Sequence, residues 1–133
     1  MKYLLDTNTC VFLMKNIASV VEQYKLCKHE GIAISSITAA ELYYGVYNSA
    51  DPMKNGSNLA NFLIGLDILA FDSAAAAEYG RIRTVLRKQG TPIGPLDMLI
   101  AAHTKSKGLI IVTDNTREFA RVEGLEIRNW LYC

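Results

Sequence analysis

Asp6, Glu41, Asp97 and Asp114 are four acids that stand where elements of the chain end or begin. Asp6 follows the apolar run Tyr3-Leu4-Leu5, and Asp114 follows "LIIVT", the most apolar run of the sequence. Glu41 falls in the second turn of a helix that Ser36 can open, with Ile37, Thr38, Tyr44 and Gly45 on its face. Asp97 falls in the first turn after "GP", and its i+3 and i+4 neighbours are Ile100 and Ala101. A further acid, Glu118, follows Asp114 by four residues. An ionised carboxylate at the rim of a core is costly unless water, a hydrogen bond or a metal compensates it. Taken singly, each has an ordinary explanation: Asp6 as a helix cap, Asp97 as an acid at a helix N-terminus, Asp114 as a turn former. Taken together they converge, because ligands of an open parallel sheet sit beyond the carboxyl ends of its strands. Converging carboxylates repel one another unless a cation sits among them. Hard oxygen donors without His or Cys select Mg²⁺ or Mn²⁺ over zinc. Such ions bridge to phosphate oxygens and acidify water, the chemistry of phosphodiester hydrolysis.

The elements that must position these acids are legible as short apolar runs alternating with amphipathic helices. Strands are expected at 3–6, 32–35, 68–71, 109–113 and 125–128. Their continuous apolar character suits parallel strands covered on both faces. Thr7 is expected to cap a helix to Lys15, and Ser19 to start another to His29, stopped by Gly31. Ser36 is the expected N-cap of a helix through Tyr47. Asp51-Pro52 is a cap followed by proline at the first helical position. Asp72 caps the alanine-rich helix 73–89, which Gly90 ends; Pro95 opens a helix to Lys107, closed by Gly108. Repeats, linkers and low-complexity segments are absent from the sequence. The reading is one α/β domain over residues 1–133, with a doubly wound, mostly parallel sheet.

Composition narrows the class. The chain is 50% hydrophobic and 20% charged, an ordinary globular balance. No stretch approaches a membrane span, and no basic region precedes an apolar signal core, so a cytoplasmic protein is expected. Cys10, Cys27 and Cys133 show no zinc-like spacing and read as free thiols. The net charge is +1, but residues 81–133 carry nine basic and five acidic groups. Arg81, Arg83, Arg87 and Lys88 fall within eight residues. They read either as an RNA-facing strip on a helix or as a solvated face with cations near a helix C-terminus. His29 and His103 accompany no acid motif and read as a surface residue and a helix-packing residue.

Four blocks carry a resemblance: "YLLDTNTCVFLMK", "ISSITAAELYYG", "GTPIGPLDMLIAAH" and "IIVTDNTREFARVEGLEIRNW". In this order, over almost the whole chain and each centred on an acid, they resemble PIN-domain ribonucleases, most closely the VapC toxins of bacterial type II toxin–antitoxin modules. The resemblance implies a five-stranded sheet in 3-2-1-4-5 order and a Mg²⁺-dependent endoribonuclease, with Mn²⁺ as a substitute ion. It implies Asp6 and Asp97 as metal ligands, with Glu41 completing an acidic triad. A fourth acidic position falls in "TDNTREF", where both Asp114 and Glu118 qualify. Thr7 and Asn8 match the opening motif, in which a hydroxyl or amide orients Asp6. Relatives with this opening include nucleases that cut initiator transfer RNA in the anticodon stem-loop. A VapB-type antitoxin and a homodimer are implied as well. Tyr43, Tyr44, Tyr47, Phe62 and Leu63 are placed to present an apolar face to either partner, though ordinary core is their simpler reading.

Other acid-bearing folds fit less well. A haloacid dehalogenase-type phosphatase needs a second Asp two residues after the first, where this chain has Asn8. A receiver domain needs a lysine after a late strand, and "LIIVT" is followed by Asp-Asn. No glycine-rich phosphate loop follows the first strand. The remaining alternative is a catalytically inactive PIN-like module that binds RNA or protein and whose acids are remnants.

Overall fold

Leu4 and Leu5 have no solvent exposure, and with Tyr3 they form β1 (Tyr3–Leu5), the central strand of a five-stranded sheet. The computed structural model describes residues 1–132; Cys133 lies outside them. The other strands are β2 (Ile32–Ser35), β3 (Asp67–Leu69), β4 (Ile110–Val112) and β5 (Glu126–Arg128). Their order is β3-β2-β1-β4-β5 and every pairing is parallel, where a mostly parallel sheet was expected. Leu4 stands opposite Ala33 on one side and Ile111 on the other.

Successive side chains of a strand point to opposite faces, and the core divides accordingly. Tyr3, Leu5, Ile32, Ile34, Ile110 and Val112 face one side, against α1 (Thr7–Met14), α2 (Ala18–Cys27), α3 (Ser36–Tyr47) and α4 (Pro52–Ile64). Leu4, Ala33 and Ile111 face the other, against α5 (Ser73–Gln89) and α6 (Pro95–Ser106). The long α5 and α6 form an antiparallel hairpin: Lys107, just past α6, reaches Asp72, just before α5, at 2.5 Å. No helix among the described residues is long and apolar enough to cross a membrane.

The breakers act largely as expected. Asp51 and Asp72 cap α4 and α5 through Lys54 N and Ala75 N, and Gly90 ends α5 in the left-handed region. Gly31 has φ 92°, and a Cβ there would stand 2.8 Å from Met1 Cα, so only glycine fits behind α2.

Two caps sit one residue earlier than read. Asp6, not Thr7, caps α1, and Ser35, not Ser36, caps α3. In both places the earlier residue keeps extended backbone angles, and its oxygen reaches an N–H two or three residues on. Ser36 Oγ instead accepts from Phe71 N at 3.0 Å. Ser19 caps nothing: α2 opens at Ala18 without a side-chain cap, ends at Cys27 and tightens into a 3₁₀ turn, Lys28–Glu30. A further short helix, α7 (Thr116–Phe119), follows β4 and had no signal of its own. Tyr43, Tyr44 and Tyr47 are exposed at 45%, 68% and 76%, so the reading of these tyrosines as core is corrected. Phe62 and Leu63 are partly buried against the core.

Candidate active site

Four segments deliver oxygen donors to the carboxyl edge of the sheet: the end of β1, α3, the first turn of α6 and the stretch after β4. Asp6 is 3% exposed. Its Oδ1 accepts from Thr9 N at 2.9 Å, and its Oδ2 accepts from Thr113 Oγ1 at 2.5 Å. It caps α1 and also lines a small cavity, so the two readings are not exclusive. Burial raises its carboxyl above the usual range against those hydrogen bonds, and the Asp114 charge adds to the rise.

Thr7 turns its hydroxyl to Glu41, donating to Oε1 at 2.6 Å, and so links α1 to α3. Oε2 of Glu41 has no hydrogen-bond partner among the described residues. Asp97, which Pro95 and Gly94 place in the first turn of α6, has its carboxyl pushed up to about 6. Burial is the main cause; Glu118 and Asp6 add repulsion, and a hydrogen bond from Asn115 opposes them. Asn115 Nδ2 donates to Asp97 Oδ2 at 3.2 Å and also to Glu118 Oε2. Glu118 Oε1 accepts from Gly94 N at 3.0 Å, and these two bonds hold its carboxyl below the usual range.

Asp6, Thr7, Asn8, Glu41, Asp97 and Asn115 line a cavity of about 90 Å³. Asp114 and Glu118 reach it through amides: Asp114 through Asn8, at 3.4 Å, and Glu118 through Asn115. Thr113 and Asn115 are site residues that the sequence reading missed. No ion pair with a site acid forms among the described residues; the pairs there involve Glu30, Glu78, Asp72 and Glu126. Three facing carboxylates without a counter-charge, all oxygen and no sulfur or imidazole, fit a hard divalent cation. As they stand, no three acids among the described residues are drawn tightly enough to close on one ion.

A larger groove of about 700 Å³ runs away from the cavity between α1, α3 and α4 and shares Thr7 and Glu41 with it. Val11, Met14, Leu42, Val46 and Leu59 give it an apolar lining.

Arg81, Arg83, Arg87 and Lys88 are all exposed on α5, but they do not form one strip. At about 100° per residue, Arg81 and Lys88 share one flank of the helix and Arg83 and Arg87 the other. Arg81 pairs with Glu78 at 3.3 Å, and Arg83 donates to Tyr79 Oη at 3.1 Å. Arg87 and Lys88 form no ion pair among the described residues, and the short turn 90–94 carries the chain from them to the helix of Asp97. His29 is exposed and His103 is buried on α6, as read.

This sheet, with acids gathered at its carboxyl edge, is the architecture of a PIN domain. The PIN-domain family model matches residues 3–125, and the chain belongs to that family. Over 131 residues it is 47% identical to the tRNA(fMet)-specific endonuclease VapC of Shigella flexneri, covering 98% of each chain. The structure is similar to a chain in VapBC2 of Rickettsia felis bound to a DNA fragment from its promoter. That match has a TM-score of 0.94 and 40% identity, and covers 98% of this chain and 99% of the other. It is similar also to a chain in DNA-bound VapBC of Salmonella typhimurium, with a TM-score of 0.93 and 43% identity over 98% of both.

Proposed function

We propose that this protein is a divalent-metal-dependent endoribonuclease of the VapC type, acting on RNA in the cytoplasm. The observation that carries the reading is the uncompensated triad Asp6, Glu41 and Asp97 facing one small cavity. Asp6 and Asp97 would hold the ion, Mg²⁺ with Mn²⁺ as substitute, because their oxygens are hard donors left without a cation of their own. Bound there, the ion supplies positive charge against the phosphate and acidifies the attacking water.

The chain's own groups do the rest. Thr113 and Thr9 hold Asp6 from both sides and fix its carboxylate plane. Thr7 occupies Oε1 of Glu41, leaving Oε2 to take the proton of a water. Asn115 spaces Asp97 from Glu118, so that Glu118 acts through the amide as the fourth acid. Asp114 orients Asn8 at the rim. Arg87 and Lys88, with Arg81 and Arg83 contributing less, supply phosphate contacts for the RNA backbone. With Asp6, Glu41 and Asp97 all facing one cavity, nothing favours the inactive alternative.

The substrate is initiator transfer RNA, supported by the relative of 47% identity that is named a tRNA(fMet)-specific endonuclease; a cut in its anticodon stem-loop is what the family resemblance implies. A VapB-type antitoxin is the partner, supported by the VapBC complexes that share the fold. The apolar groove beside Glu41 suits an apolar segment of that antitoxin, and an occupant there would crowd Thr7 and Glu41. The exposed Tyr43, Tyr44 and Tyr47 are available to the antitoxin or to a second copy in a homodimer.

Incubation of the purified protein with total transfer RNA and Mg²⁺, followed by sequencing of new 5′ ends, tests this reading. One dominant cut in initiator transfer RNA, lost in Asp97→Asn, is expected; no metal-dependent cut in any RNA would overturn it.

A further inference from the structure

Ser35 and His103 meet inside the molecule, and neither lines the acid cavity. His103 Nδ1 lies 2.8 Å from Ser35 Oγ, and neither residue has any solvent exposure. Ser35 is the last residue of β2, and its Oγ also accepts from Ile37 N as the cap of α3. His103 lies on α6, six residues after Asp97, and Glu41 lies six residues after Ser35. Each acid is thus about 9 Å along its own helix from this one joint, at 1.5 Å per residue.

The joint gathers more than two elements. The Phe71 ring packs edge-on to the imidazole, with centroids 5.5 Å apart at 80°. The Phe71 N–H in turn donates to Ser36 Oγ. The end of β2, the start of α3, the exit from β3 and α6 therefore meet at one buried point. Burial pushes the imidazole down from its ordinary range, aided by Lys107 and opposed by Asp72, which favours the neutral ring. Its Nε2 has no hydrogen-bond partner among the described residues, nor does Thr38 Oγ1, one turn along α3 from Ser35. Apolar contact is non-directional and leaves a packed helix free to slide or roll by fractions of an ångström. A buried hydrogen bond is directional and fixes both motions.

We propose that Ser35 and His103 are positioning residues of the nuclease site, setting the helix of Glu41 against the helix of Asp97 through their mutual hydrogen bond. The inference rests on the nuclease reading above, and two measurements separate them: RNA cleavage, and Mn²⁺ binding without RNA by calorimetry. Misplacement of reacting groups by about 1 Å can cost about 10²-fold in rate, so the effect belongs in kcat.

His103→Leu keeps the volume and removes the bond. His103→Asn keeps an amide nitrogen or oxygen where Nδ1 stood. His103→Gln carries its amide one carbon further out. The expected result is a kcat for H103L about tenfold or more below wild type with KM within about twofold, weaker Mn²⁺ binding, and recovery of both in H103N but not in H103Q. Should H103L fail to fold, H103N against H103Q decides alone. Wild-type kcat and Mn²⁺ affinity in folded H103L, or equal values for H103N and H103Q, would overturn the proposal. Wild-type protein that binds Mn²⁺ but cleaves no RNA would overturn the nuclease reading, while the Mn²⁺ comparison would still judge the joint.

Discussion

Thr113 Oγ1 donates to Asp6 Oδ2 at 2.5 Å, closing a contact between residues 107 apart in sequence. The bond reaches a carboxylate at 3% exposure, where hydrogen bonds to charge contribute most. Thr113→Val should therefore cost about 1.5–3 kcal/mol in urea unfolding at pH 7, while Thr113→Ser should cost less than about 1 kcal/mol. A larger loss in Thr113→Ser than in Thr113→Val would show that the methyl, not the hydroxyl, matters.

Asp6 caps α1 and also lines the acid cavity, and its substitutions should separate the cap from the proposed catalytic role. Asp6→Asn can still cap α1, so apo stability should change by less than about 1 kcal/mol while cleavage is abolished. Asp6→Ala should abolish cleavage and also lose about 1–2 kcal/mol with the cap. Thermal unfolding beside a cleavage assay reads both.

Asp97 makes stability depend on pH in a defined direction. Its carboxyl, pushed up to about 6, holds a proton more tightly in the folded than in the unfolded chain. That contribution is fully present below the unfolded value near 3.8 and is lost as pH rises through about 6. Asp97→Asn should therefore unfold later than wild type at pH 7 without metal, by about 1 kcal/mol after allowing for solvent screening of a partly exposed group. The advantage should shrink as pH falls below 6. A constant difference from pH 7 to pH 4 would remove Asp97 as its source.

Cleavage should require Mg²⁺ or Mn²⁺, stop in excess EDTA and fail with Ca²⁺, which accepts looser coordination and positions water poorly. The same ions should raise the melting temperature of wild type by mass action on the folded state, and do so less for Asp97→Asn. Full activity in EDTA would reject the metal-dependent reading.

The split of the basic residues on α5 predicts unequal roles. Neutralising Arg87 and Lys88 should weaken RNA binding and lower the log–log salt slope by about 0.7 for each phosphate left without its cation. Neutralising Arg81 and Arg83, already engaged with Glu78 and Tyr79, should change the slope less. Identical slopes in all three proteins would make these cations a solvated surface only.

Much of the fold was legible because β1, β2 and β4 are buried on both faces and so appear as unbroken apolar runs. Proline, glycine and the capping aspartates then marked the helix ends. What the sequence left undecided was local. Asp6-Thr7 and Ser35-Ser36 are pairs in which either member can cap, and only backbone angles choose between them. Asp6, Glu41 and Asp97, which line one cavity, stood out in the sequence because acids at strand and helix ends are conspicuous. Asn115 was missed because an amide after a strand looks like any turn former, and its role depends on having Asp97 and Glu118 on either side. The density of Arg81, Arg83, Arg87 and Lys88 in sequence concealed that a helix distributes neighbours around its axis.

The central position of β1 has a kinetic meaning. One of its edges can pair with β2 once residue 35 exists, but the other stays open until β4 has been made. Asp6 and Glu41 precede β4 in the chain, whereas Thr113 and Asn115 follow it. Such high contact order makes assembly of the site a late event, tied to completion of the whole sheet. A chain that stops before β4 lacks both the second neighbour of β1 and the hydroxyl that holds Asp6.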